Sequence, residues 1–413
     1  MRFLRQLFGS TLHQYVMAVA LAVLVVVLNV ASGGRMLTPS NLQNLVTSNA
    51  YVLVLAIGMV LVVVIGQIDL SVGSVAAVVS MSVALLMSRA GLPWWAGLLA
   101  GVVMGAAIGA FQGFFLARAG IPGFITTLAG MMIFRGIAQW ESGALSVPVP
   151  EQFVYLGAGY LPEWGPTWTG MNNSTLVLGI VVAALLGVRQ QTSYRRHVSR
   201  LGGEVQNWIP NTRTALVVLV VGWLTWLFGS GRPTTSFPVP GLIVLVLVLV
   251  YHLVTQRTAF GRHIYAVGGN SVAASLSGVD IRRVQFAVMV NMGVLSALAG
   301  MMFAGRSTAA GPQDGSLWEL DAIAAVFVGG AAVGGGVGTV LGGVLGGLVM
   351  AVLNNGLLLL GVGSDLSRTI KGIVLLIAVC IDLYLRRKDR PSIAGRLFAG
   401  VQLNRTPSPA PLS

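Results

Sequence analysis

The sequence predicts an all-α, polytopic membrane bundle of about 12 transmembrane helices (about 10–12). Three observations predict it. Of the 413 residues, 55% are hydrophobic and 9% charged, with a mean hydropathy of +0.83. A soluble domain carries about 25% charged residues, so this chain lacks the polar surface that water demands. Apolar runs recur at close to the roughly 20 helical residues that cross a ~30 Å hydrocarbon core. These runs are unbroken, which favours helices over a β-barrel, whose strands alternate.

Taken in order, the runs place helices near 14–31, 46–66, 70–88, 93–117 and 121–140. A polar and aromatic stretch follows, and then helices near 173–189, 213–229, 239–254, 284–304, 320–333, 337–359 and 368–385. The organisation is an N-terminal segment 1–13, a membrane domain 14–387 with basic loops at 190–212 and 255–283, and a Pro/Ser-rich tail 388–413 expected to be disordered. The apolar first run followed by small residues resembles a signal peptide, but the many later spans favour an uncleaved helix.

Charge orients the bundle. With both termini cytoplasmic, Arg118, both basic loops and the Arg386–Arg390 cluster fall inside, while few cations fall outside. That satisfies the positive-inside rule. The net charge of +13 is then a topology signal, with no nucleic-acid partner implied. Cys380 is the only cysteine, which excludes a disulfide framework and a multi-cysteine metal site.

Glycines repeat at helical spacing. Gly101, Gly105 and Gly109 share one face, and Gly338, Gly342 and Gly346 share another. Small residues at i and i+4 let helix backbones approach closely in lipid. Gly101 and Gly343, Gly105 and Gly347, and Gly130 and Gly372 each differ by 242 (343 minus 101, 347 minus 105, 372 minus 130). Such an echo points to an internal repeat, a common transporter plan.

Polar groups at membrane depth mark pathways or partners, and here they are few. Asp69 lies in "GQIDLSVGS", 66–74, between two apolar runs. The 38 residues 51–88 reach about 57 Å as helix, barely two crossings, so the chain reverses or breaks there. Asp69 and Ser71 can cap the next helix; the alternative is a gating or pathway role shared with Gln67 and Asn291. Arg135 lies near enough to the outer end of its helix to snorkel. Glu319 and Asp321 suit the positive start of a helix. Neutral amides at Asn49, Gln112, Gln139, Asn354 and Asn355 can bond across helices. No Walker A, HExxH or GxSxG motif occurs, and the four histidines do not cluster. The chain is therefore read as a non-enzyme whose pore body suits an uncharged, hydrogen-bonding solute and whose energy comes from another subunit. A stand-alone ion-coupled carrier would need midplane ligands beyond Asp69. A membrane-embedded transferase would need a clustered acid/base or metal group.

Four blocks in order carry a family resemblance: "GQIDLSVGSV", "GIPGFITTLAGMMIFRGI", "RTAFGRHIYAVGGNSVAASLSGVDIRRVQFAVMVNMGVLSALAGMMFAGR" and "ELDAIAAVFVGGAAVGGGVGTVLGG". They resemble the sugar permeases of bacterial ABC importers, the ribose/xylose class, over residues 40–387. The extra helix pair around 189–213 is most similar to the xylose type. Gln67 departs from the small or acidic residue the family often carries. The resemblance implies an inner-membrane permease working as a homodimer. It also implies a cytoplasmic ATPase that uses ATP and Mg, and a periplasmic sugar-binding protein. This chain itself would bind no cofactor. The sugar is a monosaccharide, with xylose favoured by resemblance and arabinose or galactose left open. The resemblance also implies a coupling helix that docks on the ATPase within 268–284, with contacts at Gly269, Asn270, Ala273, Ala274, Leu276, Ser277, Gly278, Arg282 and Arg283. The residues agree with this: Asn270 can cap a short helix and Gly278 can end it.

Overall fold

The computed structural model describes residues 12–165, 170–200, 208–231 and 235–388. Among them are fifteen α-helices: α1 (Leu12–Ala31), α2 (Pro39–Val64), α3 (Val72–Ser88), α4 (Trp94–Ala117), α5 (Gly123–Ser142), α6 (Glu151–Ala158), α7 (Asn173–Arg200), α8 (Trp208–Gly229), α9 (Val239–Arg257), α10 (Ala259–Gly269), α11 (Ser271–Leu276), α12 (Ile281–Ser307), α13 (Trp318–Val328), α14 (Val340–Leu359) and α15 (Ser364–Lys388). Two-residue strands, β1 (Val147–Pro148) and β2 (Ala309–Ala310), pair antiparallel. Among the described residues, seven helices are long and apolar enough to cross a membrane: α2, α4, α7, α8, α9, α12 and α14. The apolar stretches Met17–Ala31 and Val72–Ser88 are shorter.

The core is α2 against α12. From Ala50 to Ile65 every residue of α2 and its end but Tyr51 is buried, because this run is apolar on all faces. The two helices are antiparallel: Ser48 meets Arg306, Tyr51 meets Phe303, and Gly58 meets Met292.

The 242-residue echo is a structural repeat. α2 begins at Pro39 and α12 at Ile281 (281 minus 39); α4 ends at Ala117 and α14 at Leu359 (359 minus 117). α3 and α13, and α5 and α15, follow at offsets within a few residues of this. Because α2 and α12 are antiparallel, the repeat is inverted. Gly73 and Gly315, again 242 apart (315 minus 73), touch each other backbone to backbone.

Each of the twelve expected helices has a counterpart, but several limits move. α2 starts seven residues earlier than expected (46 minus 39), because Pro39 opens it at N1 with its preset φ. α7 continues to Arg200 and α8 starts at Trp208. The expected basic loop 190–212 is therefore helical on both flanks, and 201–207 lies outside the described residues. The expected loop 255–283 is mostly helix as well: the end of α9, then α10, α11 and the start of α12. α13 stops at Val328, five residues early (333 minus 328), where Gly329 and Gly330 follow and Gly330 adopts positive φ. α14 starts only at Val340, since Thr339 caps it by accepting from the Gly342 N–H at 2.9 Å. Gly338 is thus not on the helix face with Gly342 and Gly346, and its carbonyl instead accepts from the Tyr265 hydroxyl at 2.7 Å. Most of the expected segments 1–13 and 388–413 lie outside the described residues.

Candidate functional site

The 66–74 stretch is a break within the bundle. α2 ends at Val64, where Gly335 packs on Gly66 and the Gly336 N–H donates to the Val64 carbonyl at 2.8 Å. From there the chain climbs inward without helix to Ser71, and α3 begins at Val72. The inverted partner does the same from the opposite end: residues 308–317 descend, and α13 begins at Trp318. The eleven residues of α13 rise about 16 Å, half of a ~30 Å core. The two buried starts meet at Gly73 and Gly315, where a Cβ on either glycine would overlap the other's carbonyl.

Irregular backbone at membrane depth survives only where protein satisfies it, and here protein does so. Asp69 is 2% exposed and accepts from the Ser71 N–H at 2.8 Å and the Ser71 hydroxyl at 2.6 Å. The Gln112 amide of α4 donates to that hydroxyl at 2.7 Å. Thr127 of α5 receives the Leu70 N–H and donates to the Gly123 carbonyl, while the Gln67 amide oxygen accepts the Gly123 N–H. Asp69 therefore caps this turn directly. Ser71, the residue before the helix, caps nothing with its side chain and instead passes the link to α4. On the facing side, Arg135 does not snorkel: its guanidinium donates to the Pro312 and Asp314 carbonyls and pins the 308–317 segment. Asp321 pairs with Lys371 of α15 at 2.9 Å.

Asn291 does not join this cluster. Its amide oxygen accepts from the Tyr251 hydroxyl of α9, and its buried amide nitrogen has no partner among the described residues. Thr127, Arg306 and Tyr251 were not singled out from sequence. A hydroxyl in or beside an apolar run, like an arginine at the end of one, is too common a pattern to flag them.

Near Gly336, the 255–283 segment forms a projecting knob. The Asn270 side chain accepts the Ala273 N–H at 3.0 Å and so caps α11. Ser277 bonds back to the Ala273 carbonyl, and Gly278 takes a positive φ of 84° that ends the turn. Asp280 then caps α12 through the Arg283 N–H at 3.1 Å and pairs with the Arg283 side chain at 2.9 Å. That cap explains why α12 starts at Ile281 and not 284. Ala274 is buried at 5%, whereas Val272 is 69% and Leu276 86% exposed. Gly269, Ala273 and Arg282 are exposed beside them. Under the knob, Gly268 lies so tightly on the Val64 carbonyl and the Gly336 N–H that only glycine fits.

The glycine faces are close approaches within this one chain. Gly101 abuts Met301, Gly105 abuts Gly293 and Ala297, and Gly109 lies on the Met289 carbonyl, all across α4 and α12. In the inverted half, Gly342 and Gly346 lie on the Gly329 and Ala325 carbonyls.

The knob thus presents two exposed aliphatic side chains on an inverted-repeat bundle, and comparison with known proteins gives its family. Residues 41–379 match the family described as branched-chain amino acid transport system / permease component. The chain belongs to this permease family. The xylose transport system permease protein of Haemophilus influenzae is 34% identical over 91% of this chain and 98% of its own length. That of Escherichia coli K12 is 33% identical over 92% and 93%. The ribose import permease protein of Bacillus subtilis is 36% identical over 42% of this chain and 59% of its own. No solved structure matches. This permease is the membrane subunit of an ABC sugar importer of the xylose/ribose type, a multi-pass bacterial membrane protein and not an enzyme. Such a permease works with an ATPase and a binding protein.

Proposed function

We propose that this permease carries a monosaccharide inward, with xylose or a close pentose as cargo, and that α11 is its contact with the ATPase. The observation that carries the reading is the projecting α11, rigid at both caps, buried at Ala274 and open at Val272 and Leu276. Exposed aliphatic side chains on a fixed helix are what a complementary groove takes up. The caps and the Gly268 seat make the knob one body with α2 and α12, so a push on α11 moves the bundle. Both termini and α11 lie on the cytoplasmic side, and two copies form the working dimer. Twelve crossings result when α1, α5 and α15 are counted with the seven long helices, and α3 and α13 are each counted with the extended segment that precedes them. ATP and Mg are used by the ATPase, and no cofactor is bound by this chain. Asp69 acts as the cap of a hinge where the two repeats meet.

The test is uptake into liposomes. Labelled xylose should enter only when the permease, the ATPase with ATP and the binding protein are all present. Uptake by the permease alone, driven by a proton or sodium gradient, would overturn the reading.

A further inference from the structure

The end of the bundle opposite α11 holds a cavity of about 530 Å³, within the ~300–1,000 Å³ range of small-molecule sites. Its wall is the turn after α1, the start of α2, Tyr160, Thr235 and the last residue of α14. α2 separates it from α11 by 26 residues, about 39 Å of helix. The repeat relates the two places: Pro39 opens α2 here as Ile281 opens α12 beside the knob.

The wall is polar, and its polar groups are already held in orientation. Arg35 donates through Nε to the Ser32 carbonyl and through one terminal nitrogen to the Leu359 carbonyl, which leaves Nη1 open. Gln43 is 2% exposed and donates its amide nitrogen to the Phe228 carbonyl, leaving its carbonyl oxygen as an acceptor. Asn44 accepts from Ser48 on its amide oxygen, and Arg306 in turn donates to Ser48 at 2.6 Å, so the Asn44 amide nitrogen remains a donor. Among the described residues, the Ser40 and Tyr160 hydroxyls make no hydrogen bond and can both donate and accept. Asn41 is not available, because its amide pairs doubly with Asn355.

We propose that this cavity binds a neutral polyhydroxylated ligand, a free monosaccharide, as it enters the permease. The donor–acceptor balance selects the class. An anion would want donors alone, and the Gln43 carbonyl oxygen opposes it. A sugar hydroxyl both gives and accepts, and the open groups offer two donors, one acceptor and two hydroxyls, with a tyrosine ring beside them. The proposal rests on the importer reading for the choice of sugar.

The full-length permease is placed in phosphatidylcholine nanodiscs without ATPase or binding protein, and xylose binding is titrated by saturation-transfer NMR. Saturable transfer to xylose is expected. Asn44→Ala and Tyr160→Phe should each weaken it about fivefold, the loss of one hydrogen bond. Thermal melts identify variants that fail to fold, and Tyr160→Phe removes only a hydroxyl. No saturable signal, an unchanged signal in both variants, displacement by inorganic phosphate, or displacement by added phosphatidylethanolamine would each overturn the proposal. ATP-dependent uptake measured in parallel separates the two readings: uptake without binding sinks the cavity site and leaves the importer standing.

Discussion

The two ends of this permease rely on different kinds of contact. At the α11 end, backbone meets backbone: Gly268 on Val64, Gly336 bonded to Val64, and Gly335 on Gly66. At the other end, side chains do most of the joining: Arg306 to Ser48, Arg35 to Leu359, Asn41 to Asn355, and Gln43 to Phe228, with Gly157 of α6 also seated on backbone, at the Met302 carbonyl. Close backbone packing has no slack, since carbonyls cannot move aside for a methyl. A hydrogen-bonded side chain can rotate and find water or a ligand. The contrast fits a machine that takes force at one end and samples cargo at the other.

The largest expected effect breaks the rigid end. Gly268→Ala places a Cβ inside the Val64 carbonyl contact and should abolish ATPase stimulation and lower the melting temperature. Gly269→Ala, with nothing within 4 Å, should leave the melting temperature near the wild-type level. Equal melting of the two alanines would remove the tight backbone seat claimed for the α11 end. Next comes the helix seam. A Cβ at Gly293 would strike the Gly105 carbonyl and crowd Gly109, so Gly293→Ala should cost about 1–3 kcal/mol, read as reduced stability in detergent.

Asp69 gives a smaller effect. Asp69→Ala strands the buried Ser71 N–H and should cost about 1–2 kcal/mol. Asp69→Asn keeps a carbonyl acceptor and should transport almost normally. Loss of transport in Asp69→Asn with stability unchanged would return the carboxylate to a pathway role. The smallest effect is expected at the side-chain end. Asn355→Ala leaves Asn41 with one partner fewer and should cost about 0.6 kcal/mol, the scale of hydrogen bonds between membrane helices.

Much of this was legible in the sequence. Apolar run length located every helix long and apolar enough to cross among the described residues, and the 242-residue glycine echo pointed to an internal repeat, though not to its inversion, which the antiparallel α2 and α12 reveal. The Asn270 cap and the Gly278 turn were readable because capping chemistry is local. What stayed hidden depended on long-range contact. The 66–74 stretch could be a turn or a break by length alone, and only Gly73 against Gly315 and Ser71 bonded to both Asp69 and Gln112 show a break. Gly338 kept helical spacing with Gly342 yet lies outside the helix, because the Thr339 cap outweighs periodicity. Asn291 was grouped with Asp69 as a polar residue in an apolar run, but such residues need not face one another, and this one faces Tyr251.

The most direct test of the account is ATP hydrolysis by the reconstituted permease–ATPase complex with Leu276→Asp. Leu276 is 86% exposed, so the variant should insert and melt like the wild type. Hydrolysis stimulated by the sugar-loaded binding protein should fall at least about tenfold, the scale of one interface hot spot. Full stimulation in a folded Leu276→Asp permease would contradict the assignment of α11 as the ATPase contact.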